Sequence, residues 1–305
     1  MTLNNTPQIR HILAPSDLSP KSQKALGFAV RIAEAVGAEL TACHCAQAAW
    51  FSAENRPRQE KTSEIRSLLK QQVIKCEAPS SSLRWRTAVV ENSFDAARDI
   101  LNLARETTAD LIVMKARPSV LSAFRFGSIV ERVVIGAPCP VLLLPSSFLA
   151  EKDPIVESFD FHRILFDYDF SDYSDQLFQI ANTLTRRYQA ELHMLSVFKA
   201  SNQTASEIAS VEGSRTSLQT MIRRRMDDAL QAAGRSLMDV PATVEWGDHA
   251  SAVLRYAKDH QIDLICTTLA PPHFYFEKLY SVYLGNLLRS AECPILVKQS
   301  DHEVS

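Results

Sequence analysis

Residues His11–Ser22 read HILAPSDLSPKS, and residues Arg163–Ser174 read RILFDYDFSDYS. Each is an apolar strand segment followed by Asp, an apolar residue, Ser, two further residues and Ser. The offset is 152 residues, and it recurs: Ala38-Glu39-Leu40 returns as Ala190-Glu191-Leu192. With a drift of one or two positions, Asp110-Leu111-Ile112 returns as Asp263-Leu264-Ile265, and Cys139-Pro140-Val141 as Cys293-Pro294-Ile295. Collinear repetition of this kind means one structural unit written twice. We place the copies at residues 8–145 and 160–298, with a linker over 146–159. A length of 305 residues accommodates two domains of ordinary size.

Within each copy the hydrophobic period alternates between 2 and 3.6. The first copy predicts a short strand over Ile9–Ala14. A helix follows, with Ser19 as its N-cap, Pro20 at its first position and Gly37 just past its end. Further strands are predicted over Glu39–Cys45, Leu83–Val90, Leu111–Met114 and Val141–Leu144. Helices are predicted from about Asn55 to Lys75, over Asp95–Glu106 and over Ser128–Ile135. The second copy keeps this order, with a longer polar excursion from Lys199 to about Gln219. Alternating strands and helices imply a parallel sheet covered on both faces, and right-handed crossovers make it doubly wound. The fold class is therefore α/β.

Composition removes several functional classes. The chain has 8 glycines, where an average composition would supply roughly 21. No two stand close enough to form GxGxxG or GxxxxGK[ST], which disfavours a classical dinucleotide-binding dehydrogenase and a P-loop NTPase. Lys and Arg total 33 against 35 Asp and Glu, a net charge of −2, so nothing global attracts nucleic acid or an anionic membrane. The N-terminal MTLNNTPQIR is polar and unlike a signal peptide, and no apolar run approaches a membrane span. Six cysteines in scattered apolar contexts read as the reduced, buried thiols of a cytosolic protein of this size.

The segment Asp110–Leu144, DLIVMKARPSVLSAFRFGSIVERVVIGAPCPVLLL, resembles the closing segment of the universal stress protein family, above all at Gly127–Arg132 and Ala137–Leu144. Pro15-Ser16-Asp17 followed by Leu18-Ser19 matches the end of that family's first strand. The second copy matches more weakly, through Asp169-Phe170-Ser171, Asp263-Leu264-Ile265 and Cys293-Pro294-Ile295. The resemblance covers nearly the whole chain as a tandem pair. It implies a flavodoxin-like, five-stranded parallel sheet in each half, a cytoplasmic location and a role in stress responses. Family members pair through the last strand. Here that implies an intramolecular pseudo-dimer with Val141–Leu144 beside Ile295–Lys298, leaving outer helices for any further dimerisation.

Some members of the family bind ATP through G-x2-G-x9-G-[ST] directly after the fourth strand, where small residues let backbone N–H groups and a helix N-terminus reach phosphate. On the first copy the glycines fall on Lys115, Pro118 and Gly127, with eight residues instead of nine before Gly127-Ser128. The first two glycines are lost, and Pro118 has no N–H to donate. Lys115, Arg117 and Arg125, with the helix start at Gly127-Ser128, retain a means of holding an anion; the alternative is that they are solvated loop charges. The resemblance assigns adenine-nucleotide contacts to Pro15, Ser16, Asp17, Met114, Lys115, Arg117, Gly127, Ser128 and Ile129. In the second copy the glycine positions fall on Thr268, Pro271 and Ser281, with Val282 at the hydroxyl position. Asp169, Thr268 and Ser281 are the second copy's candidates, and Tyr168, in the place of Ser16, is bulky enough to fill the base pocket. Asp17 and Asp169 have a competing role, accepting N–H bonds in the turn before the Ser-capped helix.

Four other groupings stand out. Cys43-His44-Cys45 lacks the second ligand pair that zinc needs, and reads as strand thiols. Asp167 and Asp169 have the spacing of paired carboxylates, with turn and capping roles favoured. Arg223-Arg224-Arg225 before Asp227-Asp228 reads as a solvated helix face. Phe274, Tyr275, Phe276, Tyr280 and Tyr283 gather where the second copy has lost its phosphate loop, as packing residues or as an apolar ligand or partner surface. No GxSxG elbow, catalytic residue or metal site is identified. The expected function is a non-enzymatic stress-response protein with degenerate nucleotide loops, acting as a scaffold or small-ligand sensor. The alternatives are an adenine-nucleotide switch working through the first copy alone and an adenine-nucleotide hydrolase.

Overall fold

The computed structural model describes residues 9–47, 58–78, 81–116, 129–150, 160–198, 205–236, 238–269 and 277–299. Arg117, Gly127, Ser128, Phe274, Tyr275 and Phe276 lie outside the described residues, as do the side chains of Tyr280 and Ser281.

The first copy builds β1 (His11–Pro15), α1 (Pro20–Val36), β2 (Glu39–Gln47), α2 (Arg58–Ile74), β3 (Trp85–Ser93), α3 (Ala96–Glu106), β4 (Leu111–Ala116), α4 (Ile129–Gly136) and β5 (Val141–Pro145). The second builds β6 (Arg163–Asp167), α5 (Asp172–Tyr188), β7 (Glu191–Phe198), α6 (Ala205–Ala232), β8 (Ala242–Trp246), α7 (His249–Asp259), β9 (Leu264–Leu269), α8 (Glu277–Ser290) and β10 (Ile295–Gln299). The polar excursion of the second copy is thus largely one 28-residue helix.

Local chemistry sets the helix ends. Ser19 accepts from the N–H of Ser22 and Pro20 opens α1; Gly37, at φ 76°, closes it in the left-handed region. In the second copy Ser171 caps α5 in the same way, and Gln189, at φ 55°, takes the place of Gly37. Asp95 and Asp248 cap α3 and α7, each accepting from the N–H three residues on.

The chain divides into two compact units. The larger holds β1–β5 with their helices, together with α8 and β10. Its strand order is β3-β2-β1-β4-β5-β10, parallel throughout except that β10 runs antiparallel to β5. Ile295 pairs with Leu143, Leu296 with Leu142 and Val297 with Val141, the strand pairing expected of Val141–Leu144 with Ile295–Lys298. Both strands are uniformly apolar at these positions because both faces of the sheet are covered. The smaller unit holds β6–β9 in the order β9-β6-β7-β8, all parallel.

The expected linker begins as structure. A single 3-10 turn, Phe148–Ala150, follows β5; Phe148 and Leu149 are buried, and the Phe148 ring meets Phe28 of α1 edge-on at 5.8 Å. Lys24 of α1 donates to the Leu149 carbonyl at 3.0 Å. Residues 151–159 lie outside the described residues.

Candidate functional site

In the larger unit the order of connection reverses between β1 and β4, and at such a switch point the carboxyl ends of two parallel strands part to leave a crevice. A cavity of about 340 Å³ occupies this place. Pro15, Ser16 and Asp17 line it from β1, Met114 and Lys115 from β4, and Ile129 and Val130 from α4. Its far wall is Cys43, His44, Cys45 and Gln47 of β2 with Ala96 and Ile100 of α3. Six candidate residues, Pro15, Ser16, Asp17, Met114, Lys115 and Ile129, therefore meet around one space. The β2 and α3 wall has no mark in the sequence, where Cys43-His44-Cys45 reads as strand thiols. Burial holds the Cys43 thiol well above its usual range, and burial with the nearby Asp99 pushes Cys45 up to about 12. Both are neutral wall atoms near pH 7. No group of three or more His, Cys, Asp or Glu side chains among the described residues is arranged to hold a metal.

Asp17 divides its work between its two oxygens. Oδ1 accepts from the Ser19 N–H at 3.1 Å and from the Ser22 hydroxyl at 2.5 Å, which holds the turn into α1. Oδ2 accepts from the Lys115 ammonium, which also donates to Ser19 Oγ at 2.9 Å. Partial burial pushes the Asp17 carboxyl up, but the hydrogen bonds from Lys115, Ser19 and Ser22 outweigh it and hold the group well below the usual carboxylate range. The site is thus a largely apolar wall, interrupted by His44 and Gln47, facing one ion pair. Its flank is braced by an ion pair between Arg132 of α4 and Asp95 at the start of α3, and this pair lowers Asp95 to about 2.

The second copy repeats this backbone with other side chains. Ser16 N donates to the Cys43 carbonyl and Tyr168 N to the Leu195 carbonyl, both at 2.8 Å. Asp169 Oδ1 accepts from the Ser171 N–H at 3.0 Å, and Oδ2 from the Thr268 hydroxyl at 2.5 Å. The turn role expected of Asp17 and Asp169 is therefore present in both copies. Where the first copy has Pro15, Ala96 and Met114, the second has Asp167, His249 and Thr267. These three bond to one another: Asp167, only 2% exposed, accepts from His249 Nε2 at 2.8 Å and from Thr267 Oγ1 at 2.7 Å. Asp167 is thus partnered by His249 and Thr267, where the sequence offered a pairing with Asp169. No sequence motif marks His249, although it follows the cap Asp248 just as Ala96 follows Asp95. Tyr168 is buried, but its ring lies toward α5 and α6 among Phe166 and Phe170, with its hydroxyl on Asp175 at 2.9 Å.

The family model described as "Universal stress protein family" matches residues 8–145 and again 160–298. The chain belongs to the universal stress protein family. A universal stress protein of Methanocaldococcus jannaschii is 30% identical over 142 residues, covering 44% of this chain and 81% of that protein. Among solved structures, a universal stress protein from Archaeoglobus fulgidus is similar at 19% identity with a TM-score of 0.66, over 97% of this chain and 98% of that one. One from Pseudomonas aeruginosa is similar at 16% identity and a TM-score of 0.59, over 97% and 95%. At these identities the structures show the shared fold alone: tandem universal stress protein domains of flavodoxin-like α/β type. No helix among the described residues of this universal stress protein is long and apolar enough to cross a membrane.

Proposed function

We propose that this protein is a non-enzymatic, cytoplasmic stress-response protein that senses an adenine nucleotide in the crevice of its first copy alone. The observation that carries this reading is the cavity at the β1/β4 switch point, with largely apolar walls and, among its polar contacts, the Asp17–Lys115 pair, Ser16, His44 and Gln47. The corresponding residues of the second copy are tied together through Asp167, which favours one ligand per chain. A hydrolase would need a positioned general base. The Asp17 carboxyl is held well below the usual range and is engaged through both oxygens, so it is a poor proton acceptor near pH 7.

Calorimetric titration of the full chain with AMP and with ATP tests the proposal. Saturable binding near one site per chain is expected. Ala96→Trp, which fills the cavity from its α3 wall, should abolish it, and His249→Ala should leave it unchanged. Heat absent with both nucleotides in the wild type, or binding that survives Ala96→Trp, would refute it.

A further inference from the structure

The turn after β6 meets its neighbouring helix differently from the turn after β1. In the first copy Ser16 Oγ donates to Gln72 Oε1 of α2 at 3.0 Å, and Gln72 Nε2 donates to the Leu18 carbonyl at 3.1 Å. One neutral side chain thus ties the turn to the helix. In the second copy Tyr168 and Phe170 stand in the places of Ser16 and Leu18, and α6 meets them through Arg225, whose guanidinium lies 5.3 Å over the Phe170 ring. A cavity of about 350 Å³ is left between α5 and α6.

Charges of both signs line this cavity. Asp175 and Phe178 reach it from α5, three residues apart, and Arg225, Asp228 and Ala229 reach it from α6 at the same helical spacing. Tyr168 and Phe178 are buried and give it apolar surface. The Tyr168 hydroxyl donates to Asp175 Oδ1 at 2.9 Å. Burial and this carboxylate push the phenol up, so it stays a donor, and Asp175 Oδ2 is left to accept from another group. Arg225 and Asp228 share one helix face, yet no ion pair joins any two of Asp175, Arg225 and Asp228 among the described residues.

Unpaired charges of both signs around one small space suit a ligand that itself carries both. Two carboxylates accept an ammonium, and a guanidinium offers its fork to a carboxylate. An α-amino acid presents these two groups on a single carbon. The volume is at the lower end of the ~300–1,000 Å³ of ligand pockets, which keeps the ligand small. The apolar surface of Phe178 and Ala229 matches an apolar side chain, and an acidic one would meet two carboxylates already in place. We infer that the groove between α5 and α6 binds a free α-amino acid with an apolar side chain, its ammonium on Asp175 Oδ2 and Asp228 and its carboxylate on Arg225. This site belongs to the second copy and does not rest on the nucleotide reading of the first.

L-Leucine is the probe, titrated into the full chain and followed by NMR amide shifts. L-Leucinamide, which lacks the carboxylate, and N-acetyl-L-leucine, which lacks the ammonium, are titrated beside it. Leucine should saturate and bind about tenfold or more tightly than either analogue, the size of one charge-assisted contact. Arg225→Met should weaken leucine about tenfold and leave leucinamide unchanged. Asp228→Asn should weaken leucine and leucinamide alike and leave N-acetyl-leucine unchanged. Both side chains are exposed, so neither substitution should move the denaturant midpoint appreciably. Absence of saturation at millimolar leucine overturns the inference, as does an analogue bound as tightly as leucine. Leucine affinity unchanged in both variants overturns it too, since the amino acid would then sit elsewhere.

Discussion

The end of β1 and the end of β6 carry the same backbone and different chemistry. Leu18 sits at φ 64° and Phe170 at φ 65°, a left-handed conformation that is uncommon for non-glycine residues, and both copies adopt it. In each it is held by an Asp whose Oδ1 grips the next Ser N–H and by a Ser that caps the following helix. What differs is what crosses the gap between the strands. In the first copy an apolar-walled cavity remains, closed on one side by Lys115 and Asp17. In the second, Asp167 draws in His249 and Thr267, and Phe166, Tyr168, Phe170 and Phe178 pack as an aromatic cluster. The duplicated turn is a structural device kept twice, while the crevice above it is where the copies have diverged.

The largest test of this contrast exchanges a core residue between the copies. Phe166 is fully buried, 5.0 Å from the Phe178 ring centroid, and its counterpart is Ala14. Phe166→Ala should lower unfolding stability by about 3–5 kcal/mol through the cavity it leaves. The reverse change, Ala14→Phe, should cost about 1–3 kcal/mol by overpacking. Denaturant midpoints of the two variants measure the asymmetry, and equal small losses would mean that the aromatic cluster is not the core of its unit.

A smaller effect should have the opposite sign. Gln189 ends α5 at φ 55° where Gly37 ends α1. Gln189→Gly should stabilise the protein by roughly 0.5–1 kcal/mol, since glycine adopts this conformation without a Cβ clash. A lower melting temperature in this variant would contradict it.

The smallest effect concerns two histidines of the second copy, which should oppose each other. Burial lowers the His249 pKa, but Asp167 more than compensates, with Asp169 and Asp248 adding to it, so the net value is raised above 6.5. Its contribution to stability is complete below 6.5 and is lost as pH rises through the raised value. Burial lowers His193 against the pull of Glu191, so there stability falls as pH drops below 6.5. His249→Gln should flatten the alkaline side of a stability profile and His193→Gln the acid side. The His249 effect should be about 1 kcal/mol or less, because its side chain is 42% exposed. Two profiles that both flatten on the same side would refute the assignment.

Much of this architecture is legible locally. The alternation of periods places the strands and helices, and Ser19, Pro20 and Gly37 mark the ends of α1 because caps act within one turn of their own residue. The β3 strand, expected over Leu83–Val90, runs Trp85–Ser93, a shift that its half-buried, mixed-polarity sequence could not prevent. The cavity was half legible. The residues after β1 and β4 carried a resemblance, but the β2 and α3 wall mixes thiols and apolar side chains with His44 and Gln47, and nothing in their spacing sets them apart from an ordinary strand and helix. His249 would have been found by aligning the copies and asking why three apolar positions had all become polar.

By itself the sequence determined that the chain is one α/β unit written twice, because period, caps and repeat are properties of neighbours along the chain. Only the tertiary structure decided which side chains meet. Lys115 reaches Asp17 across 98 residues and His249 reaches Asp167 across 82, and both contacts depend on parallel register and on crossovers that return each strand beside another. A hydrogen bond needs placement to within a few tenths of an ångström, and no local periodicity carries that information.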